Sequence, residues 1–284
     1  MISSRYLKIV PDRLFLKLKY FYFFKRRLNF KNPQTFNEKI NWLKLYDRNP
    51  KYTNLVDKYE VKEYVASKIG NKYVISTLDV YERFDDIDFN KLPKQFVIKC
   101  THDSGGLVIC KDKKKLDTEK ARQKIEKSLK NNYYYHAREW PYKNVKPRII
   151  VEEYKEDKKD GELRDYKFFC FNGEPKFMFV ATNRFGEGDT YFDFFDMDYK
   201  HMPFTQGHPN APVMPKKPKN FEKMQKLAKR LSEDIPFVRV DFYDVNGEIF
   251  FGELTFSHFS GMMPIVPDEW DYKLGDLIAL EEIK

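Results

Sequence analysis

The sequence is poor in several features whose presence would define a class of protein. Glycine is scarce, at 12 of 284 residues, which excludes collagen-like and glycine-rich low-complexity chains. The 3 cysteines, Cys100, Cys110 and Cys170, cannot all pair within one chain and match no zinc-site spacing, so a reducing, cytoplasmic setting is the simplest expectation. There is no run of about 18 apolar residues and no signal-peptide pattern at the N-terminus. We therefore expect no membrane-spanning helix.

Several catalytic signatures are also missing. The five histidines form no H-E-x-x-H motif and no other metal-binding spacing. Neither G-x-S-x-G nor G-x-x-x-x-G-K occurs, which leaves serine-hydrolase and P-loop functions unsupported. No zinc-finger or RNA-recognition signature is present, so we expect no nucleic-acid partner.

The chain is instead rich in apolar residues and in positive charge. Its 42% of hydrophobic residues supply a sizeable core and argue against disorder. The net charge of +9 suggests a polyanionic partner such as a phosphorylated ligand, unless the lysines, which are spread along the chain, merely solvate the surface. The basic and aromatic stretch before residue 30 has two interpretations. It is either a helix on an anionic membrane surface or, as we favour, a helix packed on its own domain.

The pattern of apolar residues predicts an α+β protein with antiparallel or mixed sheets and helices on one face. The first 72 residues read as helical, with a capping box at 35–38 and one helix over 55–69. Residues 183–217 read as an irregular connection, and Asn-Gly pairs at 172–173 and 246–247 indicate two hairpins. The predicted strands are 73–76, 96–100, 107–111, 148–154, 165–171, 175–182, 237–243 and 248–256.

A lysine near the end of a buried strand begins the first candidate site. Lys99 occupies this place in the strand 96–100, where a positive charge is costly unless an anion meets it. The following loop contains Ser104, Gly105 and Gly106, and such a loop lets backbone N–H groups approach a phosphate closely. A triphosphate site and an edge lysine beside an ordinary turn are both compatible with these residues. If the site is real, we expect Lys99 to be under-paired without phosphate.

The last hairpin carries the second candidate site. Arg239 and Asp241 share one face of its first strand, and Glu253 and Thr255 share one face of its second. A two-residue loop would turn Glu253 away from Asp241, whereas a three-residue loop, 245–247, would place Glu253 opposite Arg239. We predict the three-residue register, because two carboxylates on one face attract Mg²⁺. The alternative is a cross-strand ion pair of Arg239 with Glu253.

Two weaker patterns complete the set. Glu152, Glu153 and Tyr154 end an apolar strand, which by itself indicates only a strand leaving the core. Asp196 and Asp198 form an Asp-x-Asp pattern of the kind that holds a metal and a nucleotide sugar in glycosyltransferases. We interpret this pattern as part of an acidic loop and predict that both aspartates are dispensable for chemistry.

Taken in order, these segments resemble the ATP-grasp fold, and more closely the ATP-grasp proteins related to teichuronopeptide biosynthesis, the TupA-like family. The resemblance covers roughly residues 30 to 280, and its motifs are specific only as a set. The segments that carry it are Thr35-Phe36-Asn37-Glu38-Lys39-Ile40, Asp57-Lys58-Tyr59, 96–101, Lys146-Pro147-Arg148, 151–154, 165–173, Arg239-Val240-Asp241 and 251–256.

The resemblance implies that ATP binds between two subdomains that follow the helical segment. The small subdomain is expected over 73–150, with a mobile glycine loop, and the large one, with the metal site, over 151–284. Arg239 and Lys99 are the implied catalytic residues, and Asp241, Glu253 and Thr255 the implied metal ligands. The implied nucleotide-binding residues are Lys58, Lys99, Ser104, Gly105, Gly106, Glu152, Glu153, Tyr154, Asp165 and Lys167.

The function implied by the resemblance is that of an ATP-dependent carboxylate–amine ligase using ATP and Mg²⁺. Its expected substrates are an acidic sugar or other carboxylate and an amine, in surface polysaccharide synthesis at the periphery of the membrane machinery. The sequence departs from the family pattern in two places. Thr255 stands where the family usually has Asn, so it is expected to bind metal through water. The helical segment replaces the usual acceptor-binding domain. A glycosyltransferase and a non-catalytic ATP-binding protein are the alternatives.

Overall fold

The computed structural model describes residues 8–157, 164–183 and 188–280, and its first part is helical as predicted. The helices before the first strand are α1 (Asp12–Phe24), α2 (Phe36–Tyr46), α3 (Lys51–Val56) and α4 (Val61–Ile69). The capping box forms at the start of α2, where the backbone N–H of Glu38 donates to Thr35 Oγ1 at 3.2 Å. The single helix predicted over 55–69 is wrong. The side chain of Asp57 accepts hydrogen bonds from the backbone N–H groups of Tyr59 and Glu60, which turns the chain between α3 and α4.

The first sheet is antiparallel, with the strand order β1–β4–β2–β3. Its strands are β1 (Thr77–Tyr81), β2 (Phe96–Cys100), β3 (Leu107–Cys110) and β4 (Ile149–Glu153). One face is covered by α5 (Thr118–Leu129), whose Ala121 and Ile125 belong to one core with Ile98 of β2. A short helix, α6 (Tyr134–Ala137), lies between α5 and β4.

The strand predicted over 73–76 is wrong. Asn71–Tyr73 forms a 3-10 turn after α4, and the first strand begins only at Thr77. Tyr73 and Ile75 are both buried, so their apolar side chains pack into the core without joining a sheet.

The second sheet is also antiparallel, with the order β10–β9–β5–β6–β7. Its strands are β5 (Asp165–Phe171), β6 (Glu174–Thr182), β7 (Tyr191–Asp196), β9 (Phe237–Val245) and β10 (Glu248–Thr255). Helices cover both of its faces, not one as predicted: α7 (Phe221–Leu231) packs on the side of Phe168, and α2 packs on the side of Phe169. Both faces need apolar cover because β5 is buried along its whole length and successive side chains point to opposite faces.

Part of the connection predicted to be irregular is regular structure. Strand β7 pairs with β6, and β8 (Thr205–Gln206) pairs with β11 (Ile265–Val266) next to the helix α8 (Glu269–Gly275). The strand was missed because Phe194 and Phe195 are consecutive and both buried, which hides the alternation of a strand. Residues 184–187 of the predicted connection lie outside the described residues.

The α+β class with antiparallel sheets is confirmed. The first sheet ends with β4 at Glu153, and the second begins with β5 at Asp165, so the boundary predicted after residue 150 falls inside β4. Across the described ranges, no helix is both long enough and apolar enough to cross a bilayer.

Candidate functional site

A polar cleft lies between the two sheets and encloses about 930 Å³, part of it open to solvent. It brings together predicted residues from both halves of the chain, together with Lys62, which was not predicted. The predicted residues that line it are Lys58, Lys99, Ser104, Gly106, Glu152, Asp165, Lys167 and Glu253. The cleft is therefore rich in lysines, which bind a polyanion, and in acids with which those lysines pair.

On the wall formed by the first sheet, Glu152 pairs with two lysines. Its carboxylate lies 2.7 Å from Lys99 Nζ and also forms an ion pair with Lys62. Burial opposes the charge of Glu152, but the two lysines hold the pKa of its carboxyl below the ordinary value. The expectation that Lys99 is under-paired is therefore wrong, because β2 and β4 are neighbours and place Glu152 within reach.

The glycine loop is fastened to this wall through Asp103. Lys58 Nζ donates to the backbone carbonyl of Asp103, while the Asp103 carboxylate accepts from the Gly106 N–H at 3.0 Å and from the Ser128 hydroxyl. A Cβ on Gly106 would lie 2.4 Å from Ser128 Oγ and 2.6 Å from Cys100 Sγ, so only glycine allows this close approach. Ser104 and Gly105 are exposed at the tip of the loop.

On the wall formed by the second sheet, Asp241 is held by two cations. Arg239 Nε and Nη2 donate to its two carboxylate oxygens at 2.7 and 2.6 Å, and Lys167 pairs with the same group. Lys167 also lies 3.3 Å from Asp165. Burial would raise the pKa of Asp241, but Arg239 and Lys167 hold it below the ordinary value, so the carboxylate stays charged.

The register of the last hairpin differs from the prediction, although the side chains still converge. Val245 pairs with Glu248 across a two-residue turn, which would turn Glu253 away from Asp241. An irregularity between Phe251 and Leu254 then shifts the register and pairs Thr255 with Arg239. The three-residue loop is thus wrong at the turn, and the bulge is what returns Glu253 to the face of Asp241.

The resulting cluster has Arg239 at its centre. Its Nη2 donates to Glu253 Oε1 at 3.1 Å and to Thr255 Oγ1 at 3.0 Å, in addition to Asp241. Among the described residues, no group of three or more His, Cys, Asp or Glu side chains could hold a metal ion. Mg²⁺ does not need such a group, because it binds through one or two carboxylates together with phosphate oxygens. The donor set fits Mg²⁺ that arrives with a phosphate ligand.

The sequence of this chain matches one known protein family. A family model described as TupA-like ATPgrasp matches residues 38–279. The chain belongs to the TupA-like ATP-grasp family. A search of curated protein sequences found no match.

Solved structures similar to this ATP-grasp protein have low sequence identity to it. A D-alanine–D-alanine ligase from Bacillus anthracis, complexed with ATP, has a TM-score of 0.47 and 15% identity, covering 79% of this chain and 63% of that one. The corresponding ligase from Helicobacter pylori has a TM-score of 0.41 and 15% identity, covering 79% and 61%. The ATP-grasp ligase PsnB, complexed with minimal precursor, Mg and ADP, has a TM-score of 0.43 and 9% identity, covering 86% and 66%. This chain spans less than two thirds of the length of each.

Some predicted residues of this TupA-like protein lie apart from the cleft. Glu153 is exposed and pairs with Lys155 at 2.9 Å, and the Tyr154 hydroxyl bonds with Lys111. Neither side chain is among those that line the cleft, nor is Gly105. Of the three predicted nucleotide-binding residues 152–154, the structure thus brings only the side chain of Glu152 into the cleft, where it pairs with the lysines.

The Asp-x-Asp pattern is also remote from the cleft. Asp196 ends β7, at the edge of the second sheet opposite to β10, so its predicted placement in an irregular loop is wrong. Its carboxylate accepts from the backbone N–H groups of Asp198 and Lys200 at 2.9 and 2.8 Å, which closes a turn.

Sequence reasoning missed Lys62, which ties the helical segment to the first sheet. Its Nζ donates to the carbonyl oxygen of Ile75 at 2.9 Å as well as pairing with Glu152. Burial lowers its pKa, and Glu152 opposes that effect. Helical spacing does not relate the two lysines, because Lys58 lies in the turn before α4 and Lys62 lies in α4.

Sequence reasoning also missed a buried carboxylate on the far side of Arg239. Glu139 accepts from Ser260 Oγ at 2.6 Å, and burial raises its pKa. The buried Lys44 of α2 joins the two segments by donating to the carbonyl oxygens of Ala137 and Ser260 at 2.9 and 2.8 Å. Ser260 has a φ of 56°, which is uncommon for a residue with a side chain and often marks a functional site. Nothing in the spacing of these residues indicates that they meet.

The turn that carries Ser260 is linked to Arg239 through His258. Arg239 Nη1 donates to His258 Nδ1 at 2.7 Å, so that nitrogen must carry a lone pair. Burial, reinforced by the charge of Arg239, lowers the pKa of His258 well below its ordinary value. His258 is therefore a neutral side chain that orients Arg239.

Proposed function

We propose that the protein is an ATP-dependent carboxylate–amine ligase that works through an acyl phosphate. The observation that carries the proposal is the placement of cations on both walls of one cleft. Lys58 and Lys99 line one wall, and Lys167 lines the other, where the buried Arg239 donates to the cleft-lining Glu253. Such a cleft neutralises a triphosphate and the phosphoryl group that leaves it, which is most of what phosphoryl transfer requires from a protein.

The residues of the second wall act on the transferring group. The substrate carboxylate oxygen attacks the γ-phosphorus, the bond from that phosphorus to the bridging oxygen breaks, and ADP leaves with the bridging oxygen. Arg239 donates hydrogen bonds to the charge that develops on the phosphoryl oxygens, and Lys167 neutralises the adjoining phosphate. Asp241 and Glu253 hold Mg²⁺ when it is bound, with Thr255 acting through water, and the metal supplies further charge neutralisation.

The second step needs a group that accepts a proton from the amine, and Glu139 is the base that we propose. The amine nitrogen attacks the acyl carbon, the carbon–oxygen bond to phosphate breaks, and inorganic phosphate leaves as the amide forms. Glu139 supports this step because it is a buried carboxylate whose raised pKa suits the acceptance of a proton from the amine.

The substrate class follows from the family and from charge. The association of the TupA-like family with teichuronopeptide synthesis supports a uronic acid as the carboxylate and an amino acid as the amine, in surface polysaccharide synthesis. A lysine-rich cleft suits both ATP and an acidic sugar. The three cysteines are buried free thiols, which supports a reducing, cytoplasmic location.

Two measurements test this function. Calorimetric titration should show that ATP–Mg²⁺ binds to the protein. A separate titration with a uridine diphosphate sugar should show no binding. Incubation with ATP, glucuronic or galacturonic acid and hydroxylamine should then release ADP and form a hydroxamate, since hydroxylamine intercepts an acyl phosphate. Binding of the nucleotide sugar alone would favour the glycosyltransferase, and ATP binding without turnover for any carboxylate would favour a non-catalytic ATP-binding protein.

A further inference from the structure

The outer side of helix α1 is an apolar surface that the described part of the protein leaves uncovered. Leu14, Leu18, Phe21 and Tyr22 are between 49% and 69% exposed. Their spacing of four, three and one residues places them on one face of the helix, which we call the outer face of α1. Isolated exposed apolar residues are ordinary, but a contiguous stripe of large ones marks an interaction site.

The opposite side of the same helix is well packed, so the exposure is not a sign of a loosely attached segment. Phe15, Leu16 and Tyr20 are buried with Phe30 and Met262 in one core cluster. The guanidinium of Arg138 stacks on Phe15 at 4.3 Å, and Lys19 donates to the carbonyl oxygen of His136 at 2.8 Å. Helix α1 thus packs on the protein through one side and exposes its other side to solvent.

The segment that carries the outer face is mainly positive. Residues 8–31 contain eight basic residues and one acid, whereas the whole chain has a net charge of +9. Most of the protein's excess positive charge therefore lies in this one segment. The acid, Asp12, is neutralised by Arg48 at 2.8 Å and Arg138 at 3.0 Å. The exposed basic residues of this segment include Arg13, Lys17, Lys25, Arg27 and Lys31.

We propose that the outer face of α1 binds the surface of an anionic lipid bilayer. The helix would lie in the plane of the surface, with its leucines and aromatic rings among the acyl chains and its lysines and arginines at the lipid phosphates. This occupant is favoured over a second copy of the chain, because two such faces would bring like charges together. Charge complementarity selects an anionic surface, and the apolar stripe distinguishes insertion from a purely electrostatic contact.

Sedimentation with lipid vesicles tests the proposal on the full chain. Vesicles with about 30 mol% phosphatidylglycerol should bind the protein, and vesicles of phosphatidylcholine alone should bind it much less. Raising the salt from about 0.1 M to about 0.5 M should weaken but not abolish binding, because screening removes the electrostatic part only. Equal binding to both kinds of vesicle, or none to either, would overturn the proposal.

Matched variants separate the two contributions. Lys17→Gln/Lys25→Gln/Arg27→Gln should weaken binding on the order of a hundredfold, since each basic residue near an anionic surface contributes about 1 kcal/mol. Its control is Lys114→Gln/Lys115→Gln/Lys216→Gln, which removes the same charge from exposed positions elsewhere. If both triple variants lose the same affinity, net charge is responsible and not this face.

The apolar stripe has its own pair of variants. Leu18→Gln/Phe21→Gln should weaken vesicle binding roughly ten- to a hundredfold by removing the inserted side chains. The control Val213→Gln/Met214→Gln alters two other exposed apolar residues and should have no effect. Thermal unfolding should be unchanged in all four variants. If analytical ultracentrifugation shows a dimer that Leu18→Gln/Phe21→Gln dissociates, while vesicle binding is unaffected, the face belongs to a second copy and the proposal fails.

Discussion

The two walls of the cleft hold their cations in different ways. On the second wall, Arg239 and Lys167 are buried and share the carboxylate of Asp241. On the first wall, Lys58 and Lys99 are partly exposed. A buried charge cannot change its partner without a large cost, whereas a partly exposed lysine can exchange a carboxylate or carbonyl for a phosphate. We therefore expect the second wall to govern stability and the geometry of transfer, and the first wall to govern nucleotide affinity.

The largest effect is expected from breaking the second wall. Arg239→Met leaves Asp241 with Lys167 alone and leaves Glu253 and Thr255 without their shared donor. Because this breaks a buried, hydrogen-bonded ion pair, the free energy of unfolding should fall by about 3–5 kcal/mol. Urea unfolding measures it. Lys167→Met is the control and should cost less, since Arg239 still binds both oxygens of Asp241. A loss below about 1 kcal/mol for Arg239→Met would contradict a structural role for this wall.

Replacing a lysine of the first wall should lower the affinity for ATP more than the free energy of unfolding. Lys99→Met removes the charge-assisted bond to phosphate that we propose, so ATP–Mg²⁺ binding should weaken by about 1.5–3 kcal/mol, roughly ten- to a hundredfold. Stability should fall by only about 1 kcal/mol, because Glu152 keeps Lys62 as a partner. Calorimetric titration gives the first quantity and urea unfolding the second. Equal ATP affinities for wild type and variant would remove Lys99 from the nucleotide site.

Two neighbouring glycines of the loop on the first wall, Gly105 and Gly106, should respond differently to substitution. Gly106→Ala places a methyl group against Ser128 and Cys100, and such overpacking should lower stability by about 1–3 kcal/mol. Gly105→Ala is the control, because the nearest atom to its Cβ would be 3.7 Å away. Thermal unfolding of the two variants should therefore differ clearly. Similar unfolding midpoints would mean that the loop can move away from Cys100 without cost.

The smallest effect concerns two buried glutamates whose pKa values move in opposite directions. The pKa of Glu152 is lowered, so it contributes stability above its unfolded pKa that is lost as the pH falls through its folded pKa. The pKa of Glu139 is raised, so its contribution is present below the unfolded pKa and is lost as the pH rises through the folded pKa. Over the range from about pH 3 to 7, the stability of Glu152→Gln should therefore rise less steeply than that of wild type below about pH 5, and the stability of Glu139→Gln more steeply than that of wild type above about pH 5. Urea unfolding across this range measures both slopes, and parallel curves for the two variants would refute the opposite shifts.

Helix α1 also contacts the segments that carry Glu139 and Ser260. The side of α1 that packs on the protein contacts Arg138 and Met262, which flank Glu139 and Ser260 in the chain. These contacts connect the proposed membrane-binding helix with the segments that carry Glu139 and Ser260.

Local patterns in the sequence predicted much of the fold. The capping box at Thr35, the β2 strand at 96–100 and the hairpin turn at 172–173 depend on residues close together in the chain, and all three form. The wrong prediction of a strand at 73–76 and the failure to predict β7 have the same cause. Buried apolar side chains look alike in sequence whether they pack from a turn or from a strand.

The candidate site was predictable only in part. The residue types at Lys99, Asp241 and Glu253 indicated a polyanion and a metal, because charges near the ends of buried strands need partners. The pairing of Lys99 with Glu152 was not predictable, since it depends on β2 lying next to β4 across about fifty residues of sequence. The register of the last hairpin was also not predictable, because the bulge at 251–254 depends on how β10 packs and not on the turn.

The residue chemistry, the helical start and the class of fold could be predicted from the sequence, because they follow from composition, spacing and local hydrogen bonds. Which charges meet depends on the tertiary structure. It joined Lys62 to Glu152, His258 to Arg239, and Ser260 to Glu139, and among the described residues it left one side of α1 uncovered. The physical reason is range: a capping bond forms within a few residues, whereas a buried charge takes whichever partner the packed core brings within about 3 Å.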